Sequence, residues 1–373
     1  MLTPWLAMSW DAAMAAPSCV APALVDQTFA NGARWQMCWT ETLNEGVVLT
    51  EVWYTPVNGT EILVLGQVNL AEIHISYDDN SADFFDVSVF GMGGVRLSDL
   101  APEECDGGTL ITSGTKDILC QRIDGRGYAY KLDAAQVQGE EMELWYDSQF
   151  NHYNFVVRYT FRDDGSIELA LGLTGELAKY TPNANHGWEV AAGSLGTNHV
   201  HAAWWRIDFD LGGSIDDVVE EIEFTGSGNA RRTMVITPYA IETARPFNFA
   251  TFRFWRVRDD LLVNADGHAI SYDILPGSRA LFRGTVNEPW TAADIYATED
   301  DPCEMFATHN PVAGGCGSDV SMFVDGETLT DPVVWIVDAF HHVPRDEDEP
   351  QMPIHWLETE LEPRDLHAEN PIP

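Results

Sequence analysis

Thr197-Asn-His-Val-His201 sets two histidines two residues apart. On a strand, side chains at that spacing point to one face, so His199 and His201 can share a single ion. Neutral imidazole suits copper, zinc, iron or nickel. Far downstream, Pro-Val-Val-Trp-Ile-Val-Asp-Ala-Phe-His-His342 reads as a strand ending in a double histidine, before the acidic, Pro-rich Val-Pro-Arg-Asp-Glu-Asp-Glu-Pro350. Either His341 or His342 can supply a third ligand. Three imidazoles leave positions open for water or oxygen, as a catalytic metal site requires. The plain alternative is histidines on solvated strand faces.

The elements that must carry these ligands are strands. Apolar and polar residues alternate over 165–173, the period of half-buried β-structure, and 46–54, 154–161 and 203–211 are rich in β-branched and aromatic residues. Asn58-Gly59, Asp106-Gly107, Asp266-Gly267 and Asp325-Gly326 mark turns between them. Helical spacing is confined to a turn or two within 133–143. The pattern predicts an all-β fold, a large antiparallel β-sandwich. The Pro- and acid-rich tail from Arg345 reads as irregular chain lying over a finished domain. No fixed repeat or linker splits the chain. Residues 1–25, Ala- and Met-rich but without Lys or Arg, read as an N-terminal segment, signal-like or disordered, and 26–373 as one sandwich domain.

Composition narrows the partners. The 373 residues are 45% hydrophobic, with 13 Trp and 17 Phe, enough for a sizeable core and too aromatic for a disordered chain. The net charge of −39 repels polyanions, so nucleic acid and membrane surfaces are not expected partners, whereas cations are drawn in. No apolar run approaches the ~20 residues of a membrane span. The six cysteines fall into local pairs (Cys19 and Cys38, Cys105 and Cys120, Cys303 and Cys316) with no CxxC spacing. That suits disulfides in an oxidising compartment, so a secreted or periplasmic location is expected.

A collinear set of motifs goes further. His342-Val-Pro-Arg-Asp-Glu-Asp-Glu-Pro-Gln-Met-Pro resembles the T-H-I-P-R-x-E-D-x-P-x-M-P stretch of copper amine oxidases, and Gly187 to Asp208 is similar to their G-T-L-V-A-P-G…H-x-H…R-L-D. Tyr153-Asn-Phe-Val-Val-Arg-Tyr-Thr-Phe…Asp-Gly…Leu-Thr-Gly resembles N-Y-D-Y-x-x-x-W-x-F…D-G…L-T-G. Asp86-Val-Ser-Val-Phe-Gly-Met-Gly resembles D-x-G-E-Y-G-x-G, and Leu70-Ala-Glu-Ile-His-Ile-Ser-Tyr77 resembles L-S-E-M-V-V-P-Y. The likeness runs over roughly residues 45 to 370.

The resemblance implies the catalytic domain of a topaquinone-dependent enzyme, in a form shortened at its N-terminus. His199, His201 and His342 would bind copper(II), Tyr153 would be the precursor of topaquinone, Asp86 the catalytic base, and Tyr77 a hydrogen-bond partner of the quinone. It further implies a Cys105–Cys120 disulfide, and a calcium site from Asp208, Asp210 and Asp331 with the carbonyls of Phe209 and Pro332. The expected reaction takes a primary amine and O2 to an aldehyde, ammonia and hydrogen peroxide, in a homodimer. Three positions depart from the family pattern: His152 replaces the Asn before the modified Tyr, Asn154 the acid after it, and Val89-Phe90 the Glu-Tyr of the base motif. They motivate the alternative of a copper-binding relative that forms no topaquinone, acting as a different copper oxidase or as a non-catalytic binding protein.

Overall fold

A computed structural model describes residues 17–178, 184–213, 217–226, 232–277, 282–312 and 315–372. Residues 1–16 of the expected N-terminal segment lie outside them. From Pro17 the chain is already tied down. The first strand is Leu24–Thr28, two residues ahead of the boundary set at 26, and Cys19 is bonded to Cys38.

Two antiparallel sheets form the body. The first runs in the order Leu24–Thr28, Arg34–Thr42, Gly46–Thr55, Ile62–Tyr77, His199–Phe209, Pro332–His342, Ile295–Glu299 and Thr243–Arg245, with the short Asp83–Phe85 pairing off Ile62–Tyr77. The second runs Thr233–Pro238, Asp217–Thr225, Phe254–Val263, Ala269–Pro276, Met352–Arg364, Ile167–Gly175, Tyr153–Arg162, Ala135–Phe150, Lys116–Leu132 and Thr109–Ser113. Their inner faces meet in one core of β-branched and aromatic side chains. Across it, Trp35 of the first sheet packs 5.0 Å from Phe161 of the second, and Trp205 packs 5.7 Å from Tyr159. Five tryptophans are fully buried. The expected sandwich is the fold, and the one regular α-helix among the described residues is the single turn Val320–Phe323.

Two expectations are corrected. Residues 133–143 are not helical. Asp133, at φ 50°, turns the chain, and Ala135–Phe150 pairs with Lys116–Leu132 and Tyr153–Arg162. The tail does not lie over a finished domain either. Met352–Arg364 fills the gap between Ala269–Pro276 and Ile167–Gly175, so the second sheet is incomplete without it. Met352, Leu357, Thr359 and Leu361 face inward. Glu358 and Glu360 face outward, toward Arg158 and Arg162.

All three cysteine pairs are disulfides, Cys19–Cys38, Cys105–Cys120 and Cys303–Cys316. Among the described residues no helix is long and apolar enough to cross a membrane.

Candidate metal centre

Register builds the centre. In the first sheet Tyr77 lies opposite His199, and His199 lies opposite His342, so one row crosses three strands. Side chains directly opposite on neighbouring strands share a face. His201 follows on the same face, two residues along, and all three imidazoles are buried. One ligand atom from each lies within 4.8 Å of the others. His341 points the other way and sits half-exposed, 2.9 Å from the Asp78 carboxylate. Strand alternation thus resolves which of the two adjacent histidines joins the cluster.

Hydrogen bonds fix which nitrogens face inward. The His199 Nδ1–H donates to the Thr197 carbonyl at 2.8 Å, leaving Nε2 with its lone pair toward the cluster. The His342 Nε2–H donates to Asp348 Oδ2 at 2.9 Å, leaving Nδ1 3.3 Å from His199 Nε2. Such outer partners orient metal-bound histidines and raise their basicity. Asp348 is fully buried and also accepts from the Arg345 main-chain N–H; although burial opposes it, these bonds hold its carboxyl below the usual range. Burial, reinforced by each other's proximity, pushes His199 down to about 3 and His201 well below its ordinary value. Burial also lowers His342. All three are therefore neutral at physiological pH, the state that ligates metals.

The set fits an ion. Neither ring nitrogen of buried His201 has a hydrogen-bond partner. An orphaned buried polar group costs roughly 1–3 kcal/mol, which coordination would relieve. Three imidazoles suit copper, zinc, iron or nickel; no harder preference follows from the donors alone.

Tyr153 comes from the second sheet, at the start of Tyr153–Arg162. Its phenol oxygen lies 3.3 Å from His199 Nε2 and 3.5 Å from the Met352 sulfur. The Tyr77 ring stacks on His199, with centroids 4.7 Å apart. Tyr77, Tyr153 and Asp86 line one cavity of about 230 Å³ beside the histidines. Asp86 opens a single π-helical turn, Asp86–Phe90, that leaves the sheet at Asp83–Phe85. Burial pushes its carboxyl up to about 7, against a lowering influence from Arg96. The departures from the family pattern do not crowd the ligands. His152 is mostly exposed and pairs with Glu176 at 3.2 Å, Asn154 donates to Asp147, and Val89 and Phe90 are half-exposed.

Three residues near the cavity were not singled out from sequence. Asp348 is one. Glu72 is another: its Oε1 accepts from the Val87 N–H at 2.9 Å and its Oε2 from the Ser88 hydroxyl, so it clamps the turn that carries Asp86. The third is Met352, against the Tyr153 oxygen. Each stood inside a quoted motif, and a carboxylate six residues past a ligating histidine was the available signal for Asp348.

The carboxylates of Asp208, Asp210 and Asp331 converge elsewhere, at the far end of the same strands, with one oxygen each within 4.8 Å. Gly66 makes room for them, since a Cβ there would stand 2.2 Å from Asp210 Oδ2. Phe209 lies between the first two, at the end of His199–Phe209, and Pro332 follows Asp331 at the start of Pro332–His342.

Comparison with known proteins identifies the family. The family model described as copper amine oxidase, enzyme domain, matches residues 133–373. Primary amine oxidase 2 of Arabidopsis thaliana is 25% identical over 390 residues, covering 91% of this chain and 57% of that protein. The primary amine oxidase of Klebsiella aerogenes is 24% identical over 384 residues, covering 87% and 50%. The chain thus spans little more than half the length of these relatives. A copper-containing benzylamine oxidase from Hansenula polymorpha shares the fold, with a TM-score of 0.79 at 17% identity over 100% of this chain and 64% of that one.

Proposed function

Because the chain belongs to the copper amine oxidase family, we propose that it oxidises a primary amine to an aldehyde, using copper held by His199, His201 and His342 and topaquinone derived from Tyr153. The observation that carries this reading is a half-buried phenol oxygen 3.3 Å from a nitrogen of a three-imidazole cluster. When bound, copper and the quinone supply the redox chemistry that side chains lack, with O2 as electron acceptor and ammonia and hydrogen peroxide as further products.

The chain's own residues prepare the site. Three neutral imidazoles offer lone pairs without prior loss of a proton. Asp348 and the Thr197 carbonyl hold two of them in the right tautomer. Tyr77, packed on His199, is assigned the orientation of the modified Tyr153. Asp86 takes the proton from the substrate's α-carbon. Its raised affinity for protons, a consequence of burial, makes it a stronger base than a solvated carboxylate while leaving it largely ionised above neutrality. Aromatic side chains form much of the wall of the cavity that would take the substrate.

Asp208, Asp210 and Asp331, with the carbonyls of Phe209 and Pro332, form the proposed calcium site, hard oxygen donors suited to that ion. A homodimer is the proposed assembly. The edge strand Thr233–Pro238 exposes Met234, Val235 and Ile236 beside unpaired main-chain groups, a surface of the kind a second copy covers. Three disulfides favour a secreted or periplasmic location.

The test is metal analysis coupled to the visible spectrum after aerobic addition of Cu(II) to metal-free protein. Bound copper and a visible band that shifts with phenylhydrazine are expected. Tyr153→Phe should bind copper and stay colourless. Bound copper without any band in the parent protein would remove the quinone reading and leave a different copper protein.

A further inference from the structure

Arg96 is out of keeping with the charge around it. In a chain with net charge −39, no carboxylate among the described residues lies within ion-pairing distance of its guanidinium. Neighbouring arginines of the second sheet behave differently. Arg122, Arg126, Arg158 and Arg162 all hold carboxylate partners. Arg96 instead donates from Nε to the Phe90 carbonyl at 3.4 Å and lies over two rings, 5.9 Å from the centroid of Phe90 and 4.3 Å from that of Phe150. Those contacts fix the guanidinium without neutralising it.

This charge lines the cavity that holds Asp86. The other walls are the rings of Tyr77, Phe84, Phe90, Phe150, Tyr153 and Phe155. A closed apolar cavity of about 150 Å³ already admits benzene, so the 230 Å³ here accommodates one aryl ring. Aromatic walls favour such a flat apolar body. The molecule's overall negative charge does not decide what lies beyond that body. Salt screens exposed charges beyond roughly 8–10 Å, so the charges that count are the two lining the pocket, Asp86 and Arg96.

Resting on the amine-oxidase reading, we propose that Arg96 is a selectivity residue that tunes the cavity to arylalkyl monoamines and against diamines. The reacting amine lies toward Asp86 and Tyr153, and the aryl body lies against the phenylalanines. A second ammonium on that body meets the Arg96 guanidinium, which holds no ion pair of its own, whereas a methyl group or a carboxylate there is accepted.

Three amines of matched shape isolate the charge: para-methylbenzylamine, para-xylylenediamine and para-(aminomethyl)benzoate. With copper-loaded, aerated protein, kcat/KM by peroxide release should be about tenfold lower for the diamine than for the other two, the order expected for two like charges several ångströms apart in a half-buried setting. Arg96→Gln should bring the three within about threefold of one another by removing that repulsion, and Arg96→Lys, which keeps the charge, should restore the order. Saturation-transfer NMR on metal-free protein should rank binding of the three amines in the same way, independently of turnover. Peroxide from no amine, with the binding order intact, would overturn the proposed function and leave the Arg96 assignment standing. A diamine that binds and reacts as well as its neutral analogue, or an unchanged ratio in a folded Arg96→Gln protein, would overturn the assignment while leaving the function untouched.

Discussion

Asp348 offers no atom to the ion, yet it decides which nitrogen of His342 does. Its carboxylate holds the Nε2 proton at 2.9 Å, so Nδ1 is left to face His199. Outer carboxylates of this kind are worth about 10–100-fold in metal affinity. Asp348→Asn should weaken copper binding by that order in a competition titration with a chelator, whereas Tyr153→Phe should not. Equal affinities for Asp348→Asn and the parent protein would show that the tautomer is set otherwise. As the proposed base, Asp86 would set the pH response of turnover. Its folded-state value of about 7 means the base is protonated below neutrality. The kcat/KM profile should therefore rise with pH through about 7, and Asp86→Asn should lower it by roughly 10²–10⁴-fold. A profile flat from pH 5 to 9 would assign the proton transfer to another group. His199 and His201 were legible at this scale because a two-residue spacing on a strand has one geometric meaning. Tyr153 and Asp86 were legible only as members of a motif, since nothing in one tyrosine or one aspartate foretells a cavity shared across two sheets.

Strands and turns place these residues, and the turn after Asp83–Phe85 is the most constrained of them. Glu72, fully buried on Ile62–Tyr77, accepts from the Val87 and Ile73 N–H groups and the Ser88 hydroxyl. Beyond the turn, Gly93 presses on the hairpin joining Arg34–Thr42 to Gly46–Thr55, where a Cβ would stand 1.8 Å from the Thr42 carbonyl oxygen. Asp86 is held from both sides. Glu72→Ala should lower kcat/KM with copper stoichiometry unchanged, and Glu72→Gln should keep most of the activity, because the amide oxygen still accepts from the Val87 N–H. Equal loss in both variants would mean that charge rather than the clamp matters. Gly46–Thr55 and His199–Phe209 of the first sheet were readable because they are rich in β-branched and aromatic residues, as strands buried on both faces are. Met352–Arg364 was not. Prolines at 353 and 363 bracket a short alternation, Leu357-Glu-Thr-Glu-Leu-Glu362, within an acid-rich tail, and its outward acids are matched only by arginines nearly two hundred residues away. Residues 133–143 failed for the same reason, since the pairing that makes them a strand is absent from the local sequence.

In the molecule as a whole, buried carboxylates govern how stability answers to pH. Burial pushes Asp217 up to about 9, Glu72 and Glu304 to about 8, Asp86 and Asp208 to about 7, and Asp210 to about 6. Unfolded, each returns to about 4. The folded state therefore binds these protons more tightly, and their stabilising effect is complete below about pH 4 and is lost as pH rises through the folded values. Mutual repulsion within a chain of net charge −39 acts in the same direction. In a chelator, the melting temperature should fall from pH 7 to pH 9; below that range His199, His201 and His342, held neutral by the fold and protonated only in the unfolded chain, act in the opposite direction. Calcium changes the balance where three of the acids converge. At the proposed site it would bind the ionised oxygens of Asp208, Asp210 and Asp331, so protons would compete with it, and its stabilisation would add by mass action to the folded state alone. The rise in melting temperature on adding calcium should be larger at pH 8 than at pH 5, and Asp210→Asn should shrink it. A calcium shift of the same size at both pH values would mean that the ion binds elsewhere. A melting temperature that climbs from pH 7 to pH 9 in chelator would mean that these carboxyls are ionised in the folded protein throughout.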